Sequence, residues 1–359
     1  MERTVNEKKK TGIRIVAVFL ILVFILFLLQ RLFVPKYMGD VIEGRFVGEY
    51  YREEDKSFDV IFVGDCEVYE NFSPVVLWQD YGIHSYIRGS AQQYIWQSYY
   101  LLKDTLRYHT PKVVVFNIQS LQYDESQSEA YNRMTLEGMR WSPAKVDSIR
   151  ASMTKEEHFI EYVFPLLRYH DRWNDLSDDD VRYMFRTEPA TFNGYYMRTD
   201  VLPAENVPEG RPLEDYAFGD RAWEYLEKMR LLCEENGITL VLTKAPSLWP
   251  YWYDEYEKQV EEYASAHELT YINFLELQEE TGIDYSTDTY DGGLHMNLTG
   301  AEKLSRYIGP ILLKAGACDR RNEAGLAKIW EEETVRYNAA AGRMVLVPGK
   351  IRMGAPYCN

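Results

Sequence analysis

Apolar positions are distributed along this 359-residue chain in three patterns. In the first, fifteen consecutive apolar residues run from Ile15 to Leu29, apolar on every face that a helix would present. At about 1.5 Å per residue, Gly12–Val34 is long enough to cross a bilayer, and Arg14 and Arg31 can snorkel to its two surfaces. No small-residue cleavage site follows in Leu29-Gln30-Arg31-Leu32-Phe33, so the expectation is an uncleaved anchor rather than a signal peptide. The second pattern is five short β-rich runs without alternation: Phe58–Gly64, His84–Gly89, Lys112–Ile118, Ile238–Lys244 and Thr270–Phe274. Such runs suit parallel strands covered on both faces. Segments with helical patterning lie around them at Ala91–His109, Asp220–Asn236, Tyr253–His267 and Thr299–Leu313, with Gly237 as a stop signal after the second.

The third pattern is a long stretch at about 120–215, between the third and fourth runs, far beyond an ordinary crossover. It is mostly helical in character and carries Trp141, Phe159, Tyr162, Phe164, Tyr169, Trp173, Tyr195 and Tyr196. The expected architecture is therefore α/β: a three-layer sandwich around a five-stranded, mostly parallel sheet, with an N-terminal transmembrane helix and a long helical insert. The implied plan is a basic tail over 1–11, an anchor over 12–34, an α/β domain over 35–315 and an extension over 316–359. That extension shows one short helical stretch near Ala324–Tyr337.

Charge gives this plan an orientation. Residues 1–14 carry five basic side chains against Glu2 and Glu7, which predicts a cytoplasmic N-terminus and a body beyond residue 35 on the other side of the membrane. The whole chain has a formal net charge of −16, and no basic surface is in view for binding nucleic acid. Four cysteines are too few to frame the fold. Cys233 falls on the apolar stripe of its helix, and Cys318 and Cys358 bracket the extension, which an extracytoplasmic disulfide between them would pin. The acidic run Asp178–Asp180 reads as a solvated helix start, and His84, His109, His158, His170 and His267 show no metal-ligand spacing. No metal or cofactor is expected. Asn71-Phe72-Ser73 and Asn297-Leu298-Thr299 match the glycosylation sequon by chance, and Ser73-Pro74 reads as a helix cap.

Candidate chemistry lies at the two ends of the α/β region. The first run ends in Gly64-Asp65-Cys66-Glu67-Val68-Tyr69, a strand-to-helix turn that exposes the residue after Asp65. Tyr290-Asp291-Gly292-Gly293-Leu294-His295 precedes the last helix and brings a carboxylate and an imidazole close together. A thiol in one loop and an Asp–His pair in another supply the parts for nucleophilic acyl transfer.

This ordered pair of blocks resembles the SGNH/GDSL hydrolase superfamily, in particular its membrane-anchored extracytoplasmic branch, which includes teichoic-acid D-alanylation and alginate O-acetylation proteins. The resemblance covers residues 56–315 apart from the insert. It implies that Cys66 stands in the place of the nucleophilic serine, His295 is the general base and Asp291 orients it. It further implies that Asp65, beside the nucleophile, serves oxyanion or substrate binding together with the Gly89 backbone N–H and the Asn117 side chain. Phe116 replaces the family's usual glycine before that asparagine, and Asp291 and His295 are four apart where three is commoner. Three readings of Cys66 stand: a working nucleophile, a silenced serine position in a binding scaffold, or a small apolar residue. Two functions follow from them. One is an anchored acyl esterase or O-acyltransferase acting on a cell-envelope polysaccharide or polymer, with the aromatic insert as one wall of its cleft. The other is an inactive scaffold that binds glycan or a multi-spanning membrane acyltransferase.

Overall fold

A computed structural model describes residues 2–37, 41–186, 188–343, 345–347 and 350–352. The chain divides into two compact units, one made of residues 1–43 and 155–188, the other of 44–154 and 189–359. The region expected as a single insert is therefore split. Its helices at Glu129–Leu136 and Pro143–Ser152 belong to the sheet unit, whereas Phe159–Val163, Leu166–Tyr169 and Asp178–Met184 belong to the unit that holds the N-terminal helix.

In that smaller unit, helix α1 spans Glu2–Phe33, and its segment Lys9–Phe33 is long and apolar enough to cross a membrane. Asp178, Asp179 and Asp180 form the first turn of their helix, with Ser177 as its cap. Carboxylates at that end are stabilised by the exposed backbone N–H groups and the helix dipole.

The larger unit is built on five strands: β1 (Val60–Gly64), β2 (Ser85–Gly89), β3 (Val113–Asn117), β4 (Thr239–Lys244) and β5 (Thr270–Asn273). Their order is β2-β1-β3-β4-β5, and every pairing is parallel. Alternate side chains leave a strand on opposite faces. Ile61 and Val63 of β1 join a core with Val114, Phe116, Leu240 and Leu242, packed against helices α4 (Ile95–Thr105), α5 (Asp220–Glu235) and α6 (Asp254–Ala266). On the other face Phe62 stacks on Phe72 at 5.2 Å, and Phe72 meets Phe274 at 5.7 Å. Two covered faces explain why the strands read as unbroken apolar runs.

Helix α3 (Pro74–Tyr81) begins at Ser73, whose side chain accepts from the Val76 N–H. It packs beside α7 (Leu298–Lys314). The C-terminal helix α8 (Ala324–Ala340) is more firmly docked than its pattern suggests. Trp330 stacks on Trp78 at 5.3 Å and donates its Nε1 hydrogen to His84 Nδ1 at 3.0 Å. Cys358 lies outside the described residues, so its pairing with Cys318 does too.

In a 2-1-3-4-5 sheet the chain leaves β1 toward β2 and leaves β3 in the opposite direction toward β4, and ligands bind beyond the carboxyl ends at that reversal between β1 and β3. Here β1 ends at Gly64, level with Gly89, and β3 ends at Asn117, level with Thr243.

Candidate active site

Gly64 has φ +153°, and a Cβ there would lie 2.4 Å from Val68 Cγ2. Only glycine therefore lets the chain turn from β1 into the short helix α2 (Cys66–Tyr69). Asp65 caps that helix, its Oδ1 accepting from the Glu67 N–H at 3.1 Å, and Cys66 occupies the first helical position. Part of the Cys66 surface remains open to solvent.

The second block arrives through a pair of glycines with positive φ, Gly292 at +80° and Gly293 at +100°. Their turn absorbs the extra residue between Asp291 and His295. Asp291 Oδ1 accepts from the His295 backbone N–H at 2.9 Å, and its Oδ2 lies 2.7 Å from His295 Nδ1. A second carboxylate stands beside the first, with Glu70 Oε2 3.2 Å from the same nitrogen. Tyr290 donates to Glu70 Oε2 at 2.5 Å, and the Arg198 guanidinium lies over the Tyr290 ring at 4.3 Å. The other ring nitrogen, Nε2, is buried without a hydrogen bond among the described residues, and the Cys66 thiol is near enough for thiol and imidazole to shift each other's titration.

These groups titrate as a cluster. Burial pushes the Cys66 thiol above its ordinary value, and the opposing pull of His295 does not cancel it. Placement beside an imidazole at a helix start predicts a readily ionised thiol, and here desolvation outweighs both influences. Burial by itself would lower His295, yet the Cys66 and Glu70 charges and the Asp291 hydrogen bond raise it well above the usual histidine value. Glu70 is raised by burial, whereas Asp291 is held low despite its own burial, by its contacts with His295. Ligand atoms of Glu70, Asp291 and His295 fall within 4.8 Å of one another, a donor set a metal ion would accept. Both carboxylates, however, already lie within bonding or ion-pair distance of Nδ1.

Beneath the thiol lies a polar network that the sequence does not advertise. Lys244, at the end of β4, is fully buried and donates to Glu67 Oε1 at 3.2 Å, to Oε2 at 3.1 Å and to the Ala245 carbonyl at 2.9 Å. Asn117 donates from Nδ2 to Glu67 Oε2 at 2.9 Å and, more weakly, to Asp65 Oδ1 at 3.5 Å, while its Oδ1 accepts from the Ala245 N–H at 3.0 Å. The amide expected to serve an oxyanion is thus occupied with Glu67. Asp65 is buried, and its carboxyl is raised by desolvation and by the nearby Glu67 charge. Gly89 is held level with Gly64 by the parallel register, one strand away from the nucleophile turn.

Five residues of this site were given no role in the sequence reading: Glu67, Glu70, Lys244, Tyr290 and Arg198. Three of them carried a signal. Lys244 is a lysine closing an otherwise apolar strand run, and Glu67 and Glu70 are three apart on the turn that bears the thiol. Asn71 and Asn297, which match the sequon, are both buried. Asn71 Oδ1 accepts from the Met296 N–H at 2.8 Å and Asn297 caps α7, so both are structural.

A cleft of about 430 Å³ opens beside Asp291, lined by Leu202, Pro203, Val207, Pro208, Trp249 and Gly292 among others. Its wall is the proline-containing coil 202–208, at the end of the stretch expected as an insert, together with Trp249, and the aromatic side chains named for that stretch do not line it. Tyr195, one of that set, is instead buried against Tyr337.

No family model and no curated protein sequence matches the chain. Among solved structures, it is similar to a GDSL-like lipase from Bacteroides thetaiotaomicron VPI-5482 at 14% identity and a TM-score of 0.36, over 76% of this chain and 97% of that one. It is also similar to a protein of Bacteroides fragilis NCTC 9343 named as an acylhydrolase, at 12% identity and the same TM-score of 0.36, over 78% of this chain and 99% of the other.

Proposed function

We propose that this chain is an SGNH-like, membrane-anchored acyl esterase or O-acyltransferase that works through an acyl–Cys66 intermediate on an extracytoplasmic polymer. The observation that carries the reading is the Asp291–His295 pair at 2.7 Å, with the Cys66 thiol close enough to the imidazole for each to shift the other's titration. Once the pH is high enough to deprotonate the imidazole, whose pKa is raised, neutral His295 takes the thiol proton as sulfur attacks the ester carbonyl. It then gives that proton to the departing alcohol, leaving a thioester on Cys66. Water or a sugar hydroxyl attacks the thioester in turn and loses its proton to His295; the acyl C–S bond then breaks, the acid or new ester leaves, and His295 returns the proton to sulfur. Asp291 keeps the Nδ1 hydrogen in place throughout, and Glu70 adds a second negative charge that stabilises the imidazolium. The cleft beside Asp291 offers apolar and aromatic surface to an acyl chain or a sugar ring. An envelope polysaccharide as acceptor, and a multi-spanning acyltransferase as the source of acyl groups, complete this reading.

Two observations favour the scaffold alternative: the Asn117 amide and the raised thiol leave the site short of an oxyanion donor and a ready thiolate. Turnover of a small acyl ester by the full chain separates the two. The enzyme reading expects Cys66→Ser to retain or raise turnover, because a hydroxyl fits a turn already built, and Cys66→Ala to abolish it. If neither the native chain nor the serine variant turns over any small ester, the scaffold reading takes its place.

A further inference from the structure

We infer that residues 155–188 form a foot that beds into the bilayer surface around the end of α1. The inference rests on α1 being a membrane anchor. Along α1 the side chains from Ile13 to Phe27 are exposed, but from Gln30 to Lys36 the chain is partly covered by its own unit. Three contacts fasten that cover. Arg31 Nε donates to the Met184 carbonyl at 2.9 Å, Arg172 donates to the Phe33 carbonyl, and Lys36 pairs with Asp180 at 3.1 Å. A helix of 25 apolar-rich residues is about 37 Å long against about 30 Å of hydrocarbon, so its final turns emerge at headgroup level.

At that level the foot presents an outer surface of large apolar side chains. Trp173 is 67% exposed and Phe185 63%, and Ile160, Phe164, Leu167 and Val181 are each about half exposed. Their spacing is that of helix faces. Ile160, Phe164 and Leu167 follow at i, i+4 and i+7 along a nearly continuous run of turns, and Val181 and Phe185 are four apart on a helix whose Asp180, Tyr183 and Met184 face inward. Patches of this kind on a soluble surface are sites of association, and tryptophan favours the membrane interface in particular. Residues 155–188 hold nine acidic side chains against five basic ones. Attraction to anionic headgroups therefore does not drive the contact, and zwitterionic lipid suffices.

Trp173 is the one tryptophan of this unit, which makes it the reporter. The full chain is reconstituted into phosphatidylcholine bilayers, plain or brominated near the top of the acyl chains, after flotation in alkaline carbonate has shown the chain to be membrane-resident. Brominated lipid should quench a component of the native fluorescence that Trp173→Phe loses, and adding Leu167→Trp to that variant should restore it. Equal quenching in the native chain and in Trp173→Phe, in a chain that floats, overturns the foot and leaves the anchor standing; it would assign the surface to a protein partner. Failure to float overturns both.

Discussion

Cys66 combines two opposed influences, a histidine that favours its thiolate and a burial that resists it, and burial prevails. The resting site is therefore a thiol beside a histidine whose proton is held by Asp291 and Glu70, not a standing thiolate–imidazolium pair. A consequence concerns pH. Alkylation requires thiolate, so a pKa above the ordinary value means that reaction with iodoacetamide should keep accelerating as pH rises beyond neutrality. Rates measured at Cys66 by peptide mapping between acid and alkaline pH test this, and a plateau already reached in the acid range would contradict it. Glu70→Gln removes one charge that raises His295, so the pH at which ester turnover appears should move downward; an unchanged profile would mean that Glu70 does not act on the imidazole.

At the scale of elements, the strand ends matter most. Each of the five apolar runs became a strand within two residues of its expected bounds, because parallel strands covered on both faces leave an unmistakable pattern. Asp220–Glu235, Asp254–Ala266 and α7 were legible for the complementary reason, one apolar face and a clear stop such as Gly237, which takes φ +67°. Lys244 and Glu67 were not legible as a pair, since they are far apart in sequence and only the β1-β3-β4 order brings their strands together. The same holds for Asn117: its place at the end of β3 could be read, but its partner could not. Removing one member of a buried ion pair costs about 3–5 kcal/mol, so Lys244→Ala should lower the denaturant midpoint strongly. Pairing Lys244→Met with Glu67→Gln should recover much of that loss, and a double variant no more stable than the single one would show that Glu67 is not the strained partner.

For the whole molecule, the N-terminal helix and the division of the insert decide where the site works. The long apolar helix was legible from composition alone, whereas the split of the insert was not, because contacts with α1 rather than any local pattern group 155–188 with the N-terminal segment. A basic N-terminal flank sets the expected orientation. Protease added to spheroplasts should then digest the body from residue 36 onward while sparing the segment around Lys8–Lys10, and full protection of the body from outside would reverse the topology. The account stands or falls, however, on whether sulfur at the end of β1 carries an acyl group. Incubating the full chain with an activated acyl ester and mapping adducts by mass spectrometry tests this directly. The expected result is an acyl thioester at Cys66 that forms faster than any adduct at the exposed Cys318, slows in His295→Ala and disappears from that peptide in Cys66→Ala. Acylation of Cys318 ahead of Cys66, with no effect of His295→Ala, would contradict it.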